Sequence, residues 1–115
     1  MTFTSDPMTE LLTLLEAAEV RATMDAAHVS LPGAWLTLDS LAPRFNLAGD
    51  GRMVCSLYLI TADSGDTQRV LDNLLTLLNT VTAAGVTPDG PVTAVRVVLD
   101  ADPTPQPALR VPIHL

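Results

Sequence analysis

The sequence contains no lysine and very few aromatic residues. All six positively charged side chains are arginines, and thirteen aspartates and glutamates outnumber them, which gives a net charge of −7. Such a surface repels phosphate groups and offers no basic stripe to hold a nucleic-acid backbone. One Trp, one Tyr and two Phe also argue against a base-stacking platform or an aromatic-lined ligand pocket. We therefore expect no sequence-specific binding of DNA or RNA.

Cysteine and histidine are equally scarce. Cys55 is the only cysteine, which excludes an internal disulfide, and its aliphatic neighbours predict a buried thiol. His28 and His114 lie far apart in the sequence, so no metal-ligand spacing is present. The Asp-Ser-Gly-Asp segment at residues 63–66 is typical of a helix cap and not of a phosphate-binding loop, and no Gly-x-Ser-x-Gly elbow occurs. These observations predict a protein that is not an enzyme and has no catalytic residue, metal or cofactor.

The amino terminus lacks the basic and apolar regions of a signal peptide, and no apolar run approaches the length of a membrane span. A chain of 115 residues fits a single domain, residues 1–115, with one core. Nearly half of the residues are hydrophobic, and most are aliphatic, so the core is expected to consist of Leu, Val, Ile and Ala. We expect the protein to be made in a reducing cytoplasm and to have no membrane partner.

The first element is predicted to be a helix over residues 7–19, with Asp6 as the N-cap and Pro7 in the first helical position. Residues 20–23 either extend this helix or form a short strand, and the strand is favoured. A Leu-Pro-Gly break then precedes a strand at residues 34–38 that continues or curls away up to Leu41. Trp35 in this strand is either a core or edge anchor or a contact for a partner.

The strongest predicted strand covers residues 52–61 and follows a hairpin connection at residues 43–51. Its residues are apolar on both faces, which is typical of a central strand covered by helix on at least one side. A second helix follows, with Asp66 as its N-cap and Gly85 as its C-terminal glycine, and its leucine-rich stripe is expected to pack on the sheet.

A turn at residues 87–91 leads to a strand over residues 92–99, in which alternate residues are expected to face the core while Arg96 faces outward. The expected core residues are Val95, Val97 and Leu99. This order of elements predicts an α+β fold: an antiparallel or mixed sheet with two α-helices packed on one face and a C-terminal β-hairpin.

The chain ends inside a predicted strand, after a proline-rich loop at residues 100–107 that is interpreted as a long hairpin arm. Large aliphatic residues alternate with other side chains up to Leu115, the period of a half-buried strand. One face would carry Leu109, Val111, Ile113 and Leu115, and the other Arg110, Pro112 and His114. A proline in such a run indicates a sheet edge or a bulge. Asp100 and Asp102 could bind calcium or act as an acid–base pair, but beside prolines they are expected to be solvated loop carboxylates.

Four segments form a pattern that spans most of the chain. They are Met8-Thr9-Glu10-Leu11-Leu12 to Glu19-Val20-Arg21-Ala22-Thr23, Leu31-Pro32-Gly33-Ala34-Trp35-Leu36, Ser56-Leu57-Tyr58-Leu59-Ile60-Thr61 before the leucine-rich helix, and Pro107-Ala108-Leu109-Arg110-Val111. In these segments, and in the order of its elements, the chain resembles the small tail-terminator and neck proteins that join head to tail in long-tailed phages of high-GC actinobacteria.

The resemblance implies a virion structural protein that forms a ring, typically of six copies, at the head-proximal end of the tail tube. Its implied partners are further copies of itself, the tail tube protein and a head-completion or neck protein, with DNA passing through an acidic lumen without specific binding. The implied contacts are the exposed edge of the terminal hairpin and the arms at residues 43–51 and 100–107. The candidate contact residues are Trp35, Asp100, Asp102, Arg110, Pro112 and His114.

Three other accounts remain open from the sequence, and one of them is a bacterial regulatory adaptor. A head-completion or connector protein of the neck has a similar size and a similar assembly logic. A small cytoplasmic enzyme or ligand-binding domain would instead have a pocket with converging polar groups and shifted pKa values.

Overall fold

The computed structural model describes the backbone of residues 4–43, 51–99 and 102–115, and the side chains in these ranges except at 42–43, 51–52 and 102–103. The described residues form two α-helices, five strands and a short 3-10 turn at Ala26–His28. The elements are α1 (Asp6–Ala17), β1 (Ala22–Thr23), β2 (Gly33–Pro43), β3 (Gly51–Ile60), α2 (Thr67–Ala83), β4 (Thr93–Leu99) and β5 (Asp102–His114).

The five strands form one mixed sheet in the order β1-β2-β3-β5-β4. The β1–β2 pair is parallel, and the other three pairs are antiparallel. Both helices pack on one face, where residues of α1 and α2 share a core with alternate residues of β2, β3 and β5. Its fully buried members include Leu15, Leu36, Leu57, Val81 and Val111. The predicted α+β fold, with two helices on one face and a C-terminal hairpin, is confirmed.

The first helix is slightly shifted from its prediction. Ser5, not Asp6, occupies the N-cap position, and the helix ends at Ala17 instead of residue 19. Glu19 adopts a left-handed conformation with φ of 63°, and the Val20 N–H donates to the Leu15 carbonyl at 2.9 Å. This reversal buries Val20 and directs the chain into the short strand β1, which confirms the favoured interpretation of residues 20–23.

The second helix begins and ends where its local signals predict. Asp66 Oδ1 accepts hydrogen bonds from the N–H groups of Gln68 and Arg69, which satisfies donors that the first turn leaves free. Gly85 follows the helix with φ of 107°, a conformation that favours glycine. The predicted leucine stripe is only partly buried, because Leu71 and Leu75 remain exposed.

The terminal strand as a whole is not at an edge of the sheet, contrary to the prediction, although Pro112 itself lies where one side of the strand has no partner strand. β5 lies between β3 and β4, so the free edge of the terminal hairpin is β4. Met53 and Leu115 form a hydrogen-bonded pair, with an N–H···O=C bond in each direction. Because such pairs alternate along an antiparallel ladder, the nitrogen and carbonyl of Pro112, three residues earlier, point away from β3. Pairing with β4 ends at Arg110 and Thr93, so the proline removes no ladder bond, and its carbonyl accepts from the Asp89 N–H at 2.8 Å.

The proline-rich segment forms an arm of the β4–β5 hairpin, as predicted, but residues 102–107 belong to strand β5 and are not a loop. The last residue of β5 in the ladder with β3 is Ala108, and the carbonyl of Pro107 still accepts a hydrogen bond from the Thr61 N–H at 3.3 Å. Before Pro107, β5 pairs with β4 alone, and a proline nitrogen that faces the other side removes no ladder bond.

The two antiparallel hairpins extend from opposite ends of the sheet. The β2–β3 pairing continues to Pro43 and Gly51, past the Val54–His114 end of the β3–β5 ladder. The β4–β5 pairing continues to Leu99 and Asp102, past the opposite end of that ladder. The predicted hairpin connection is confirmed by the Pro43–Gly51 pair, while residues 44–50, 100 and 101 lie outside the described residues.

Candidate interaction surface

The helix-free face of the sheet carries four of the six predicted contact residues. Residues paired across a sheet share a face, and the register aligns Trp35 with Tyr58 and Tyr58 with Arg110. Pro112 and His114 follow at two-residue intervals on the same strand. On the other face, Leu109, Val111 and Ile113 are buried and Leu115 packs against them, as the alternation predicts.

Trp35 is mainly an anchor on this face. Its ring lies 5.5 Å from that of Tyr58, tilted by 30°, and its Nε1–H donates to the Met24 carbonyl at 3.3 Å. The two rings pack against a second apolar cluster that includes Val97 and Leu99. The predicted burial of these two β4 residues is therefore confirmed, and both lie on the helix-free side of the sheet. Val95, the third residue predicted to be buried on β4, is partly buried there. Both side chains of the aromatic pair remain partly exposed.

Arg110 belongs to a polar cluster centred on Asp39. Asp39 Oδ2 accepts hydrogen bonds from Ser56 Oγ at 2.5 Å and from Arg110 Nη2 at 3.3 Å, and its Oδ1 accepts from Thr37 Oγ1 at 3.4 Å. The register shift between Leu38 and Ser40 places Asp39 here. Side-chain exposure is 37% for Arg110 and 32% for Asp39, so the cluster is held in place and still reaches solvent.

Sequence reasoning missed Asp39. The sequence feature that could have identified it is a lone carboxylate directly after Leu38, at the end of the apolar run of the second predicted strand. The partners of that carboxylate come from two other strands, so only the register identifies them.

His114 joins the terminal strand to the turn before β4. Its Nδ1 lies 2.7 Å from Asp89 Oδ2, and the Asp89 N–H donates to the Pro112 carbonyl. The imidazole is 30% exposed. These contacts give His114 and Pro112 a structural role where the β3–β5 ladder ends, in addition to any contact with a partner.

The side chains of the two predicted aspartates are outside the described part of the structure. Asp100 lies outside the described residues. The backbone of Asp102 pairs with Leu99 at the end of the β4–β5 hairpin, far along β5 from Arg110. The four predicted contact residues whose side chains are described, Trp35, Arg110, Pro112 and His114, form one surface.

The described side chains of this surface form hydrogen bonds and ion pairs. The Nδ1 atom of His28 lies 2.7 Å from Asp25 Oδ2, and that of His114 lies 2.7 Å from Asp89 Oδ2. Cys55 lies on the opposite face, where burial, aided by the charge of Asp39, raises the pKa of its thiol. In the described ranges, no group of three or more His, Cys, Asp or Glu residues could hold a metal ion.

Neither helix in the described part of the chain is long and apolar enough to cross a membrane.

Comparison of the chain with family models, curated proteins and solved structures finds no significant match.

Proposed function

We propose that this chain is a phage virion structural protein, a tail terminator that forms a homo-oligomeric ring on the head-proximal end of the tail tube and joins it to the head. In this proposal it is assembled in the host cytoplasm and located in the neck of the virion. Its partners are the tail tube protein, a head-completion or neck protein, and other copies of itself. The proposal includes no catalytic step and no cofactor.

The observation that supports this role best is the position of the helix-free face between two hairpins that extend in opposite directions. A subunit at a head-to-tail junction needs contacts toward the tube and toward the head. The β2–β3 hairpin ends beyond the Val54–His114 pair, and the β4–β5 hairpin ends beyond the Ile60–Ala108 pair. Between them, Arg110 and Asp39 present a fixed, half-exposed ion pair that suits a contact of defined register.

The charge of the chain also supports this role. A net charge of −7 with no lysine leaves little positive surface for phosphate groups, so DNA passing through a ring of such subunits would not be retained.

Native mass measurement and negative-stain electron microscopy of the purified chain test the proposal, first alone and then with isolated tail tubes. We expect rings of about six copies of the 12.2 kDa chain, bound at one end of each tube. A chain that stays monomeric at micromolar concentration and leaves tube ends bare would contradict it. Rings that bind isolated heads and not tubes would instead assign the chain to a head-completion or connector protein.

A pair of charge variants locates the contact. Arg110→Ser removes the arginine from the helix-free face. Arg69→Ser makes the same change at an exposed position of α2, on the helix-covered side of the sheet. We expect Arg110→Ser to reduce the fraction of capped tubes and Arg69→Ser to leave it unchanged. Equal effects of the two variants would mean that the helix-free face is not the contact.

A further inference from the structure

The sheet has two edges that lack a partner strand over most of their length within the described residues. β4 pairs with β5 on one side only. β1 covers β2 only at Ala34 and Trp35, which leaves β2 unpaired on that side from Leu36 to Pro43. The Met53–Leu115 pair is hydrogen-bonded, and hydrogen-bonded and non-hydrogen-bonded pairs alternate along an antiparallel ladder. This alternation identifies the edge-strand residues whose N–H and C=O groups point away from the sheet. These residues are Leu36, Leu38 and Leu41 on β2, and Ala94, Arg96 and Val98 on β4.

The two edges have compatible strand directions. β2 and β5 run one way through the sheet, and β3 and β4 run the other way. A second copy placed so that its sheet continues the first, with its helices on the same side, brings its β2 next to β4 in an antiparallel orientation. Because the contact joins two different surfaces, repetition of it generates a ring when the rotation closes.

Both edges also carry exposed apolar side chains on the same side of the sheet. Leu38 and Leu41, paired with the buried residues Cys55 and Met53, lie on the helix-covered side of β2 and are 46% and 43% exposed. On β4, Val98 lies between two residues of the helix-free cluster and therefore points to the helix-covered side, where it is 56% exposed.

The second helix extends the apolar area beside β4. Leu71 lines a groove with Ala94, Val95 and Arg96, and Leu75 lies one turn further on the same flank of α2. Leu71 and Leu75 are both exposed in the single chain. The β4 edge is thus flanked by an apolar stripe, which matches in character the leucines beside the β2 edge.

We propose that copies of this chain join edge to edge, with β4 of one copy adding antiparallel to residues 36–43 of β2 in the next. The stripe of Leu71, Leu75 and Val98 then covers Leu38 and Leu41 of the neighbour. This inference rests on the proposed ring and names its subunit contact. A second copy is the occupant because the edges match in direction, face and apolar character, whereas pairing of β4 with β4 about a two-fold axis would leave both leucines uncovered.

A mixed cysteine experiment tests the orientation. One preparation carries Leu38→Cys and a second, of larger tagged mass, carries Val98→Cys; both are mixed, oxidised mildly and quenched before denaturation. We expect a disulfide-linked dimer of mixed mass, and little dimer from either preparation alone. Leu14→Cys in place of Leu38→Cys is the matched control, because Leu14 is 42% exposed but lies on α1. A Val98→Cys homodimer, or equal linking with the Leu14→Cys control, would overturn the inference.

A proline variant tests the backbone pairing itself. The Arg96 N–H points outward, so Arg96→Pro removes a donor at the free edge and leaves the β5 ladder in place. We expect this variant to weaken self-association at least about tenfold, a free-energy change of roughly 1.4 kcal/mol, while Arg96→Ala, which loses the same charge, retains it. If Arg96→Pro fails to fold by circular dichroism, Leu41→Gln with Leu14→Gln as its control replaces it. Unchanged association in the folded edge variant would overturn the inference.

The outcomes separate this inference from the proposed function. Rings that cap tubes but show no 38–98 link and no loss with Arg96→Pro leave the function standing and reject the edge contact. Chains that link through 38–98 but do not cap tubes support the contact and reject the function. A monomeric wild-type chain rejects both.

Discussion

The two faces of the sheet use alternate residues of the same strands for different purposes. On the helix-covered side of β3, Cys55, Leu57 and Leu59 are completely buried among aliphatic neighbours. On the helix-free side, Ser56 is also buried, and its hydroxyl donates a hydrogen bond to Asp39. Tyr58 on the same side packs on Trp35. The larger apolar core therefore lies on the helix-covered face, while the other face combines a smaller apolar cluster with hydrogen bonds and an ion pair between side chains.

The largest expected effect is a difference in stability between variants that truncate side chains on the two faces. Leu57→Ala removes a completely buried side chain and should lower the free energy of unfolding by about 2–5 kcal/mol. Val54→Ala truncates a partly exposed side chain on the helix-free side and should lower the free energy of unfolding by less than about 1.5 kcal/mol. Urea denaturation followed by circular dichroism measures both changes. Equal losses would mean that the helices do not make the dominant core.

The polar cluster should show a smaller but coupled effect. Ser56→Ala and Asp39→Ala each break the Ser56–Asp39 hydrogen bond and should each destabilise by about 1–2 kcal/mol. Because they remove the same contact, the double variant should lose less than the sum of the two, by at least about 0.5 kcal/mol. Additive losses in this double-mutant cycle would show that the cluster contributes no interaction of its own.

The buried thiol allows a test of the helix-covered face by pH. Burial raises the pKa of Cys55, so the folded chain favours the neutral thiol, and the unfolded chain ionises first as pH rises. Stability should therefore fall as pH increases through the ordinary thiol range, and Cys55→Ala should remove this part of the slope. The folded protein should also resist iodoacetamide until it is unfolded. Rapid alkylation of the native chain would contradict the burial of this face.

The smallest effect is expected at the exposed rim between α2 and β4. The Gly65 N–H, and secondarily Arg96, lower the pKa of Asp63. Its stabilising contribution is present above the ordinary carboxyl range and is lost as pH falls through the lowered pKa of the folded state. Asp63→Asn should flatten the acid side of the stability profile slightly. Arg96→Ala should flatten it less, because the backbone donor remains. A larger effect from Arg96→Ala would reverse this order of causes.

Features with local causes could be predicted from the sequence. The cap at Asp66 and the glycine at Gly85 define the ends of α2 because they act within one turn. The alternation of β5 assigned Leu109 and Arg110 to opposite faces, because a strand has a period of two. The shift of the first N-cap from Asp6 to Ser5 shows that adjacent capping residues compete, which sequence alone does not resolve.

Strand order and the polar cluster required contacts between distant segments. Pro112 was expected at an edge because a proline lacks a donor. The structure places β5 as a whole inside the sheet, and Pro112 lies beyond the end of β4 pairing, where one side of the strand has no partner strand. Asp39 gained its role only when β3 and β5 brought Ser56 and Arg110 beside it.

The sequence by itself determined the acidic, lysine-free composition, the element types and the face of each residue on the terminal strand. These properties depend on residue chemistry and on short-range periodicity. The tertiary structure alone decided that β5 is interior, that β2 and β4 keep free edges, and that Trp35 and Arg110 share one surface. Those outcomes depend on which strands pair and in what register, and pairing is set by hydrogen bonds and burial between residues far apart in the chain.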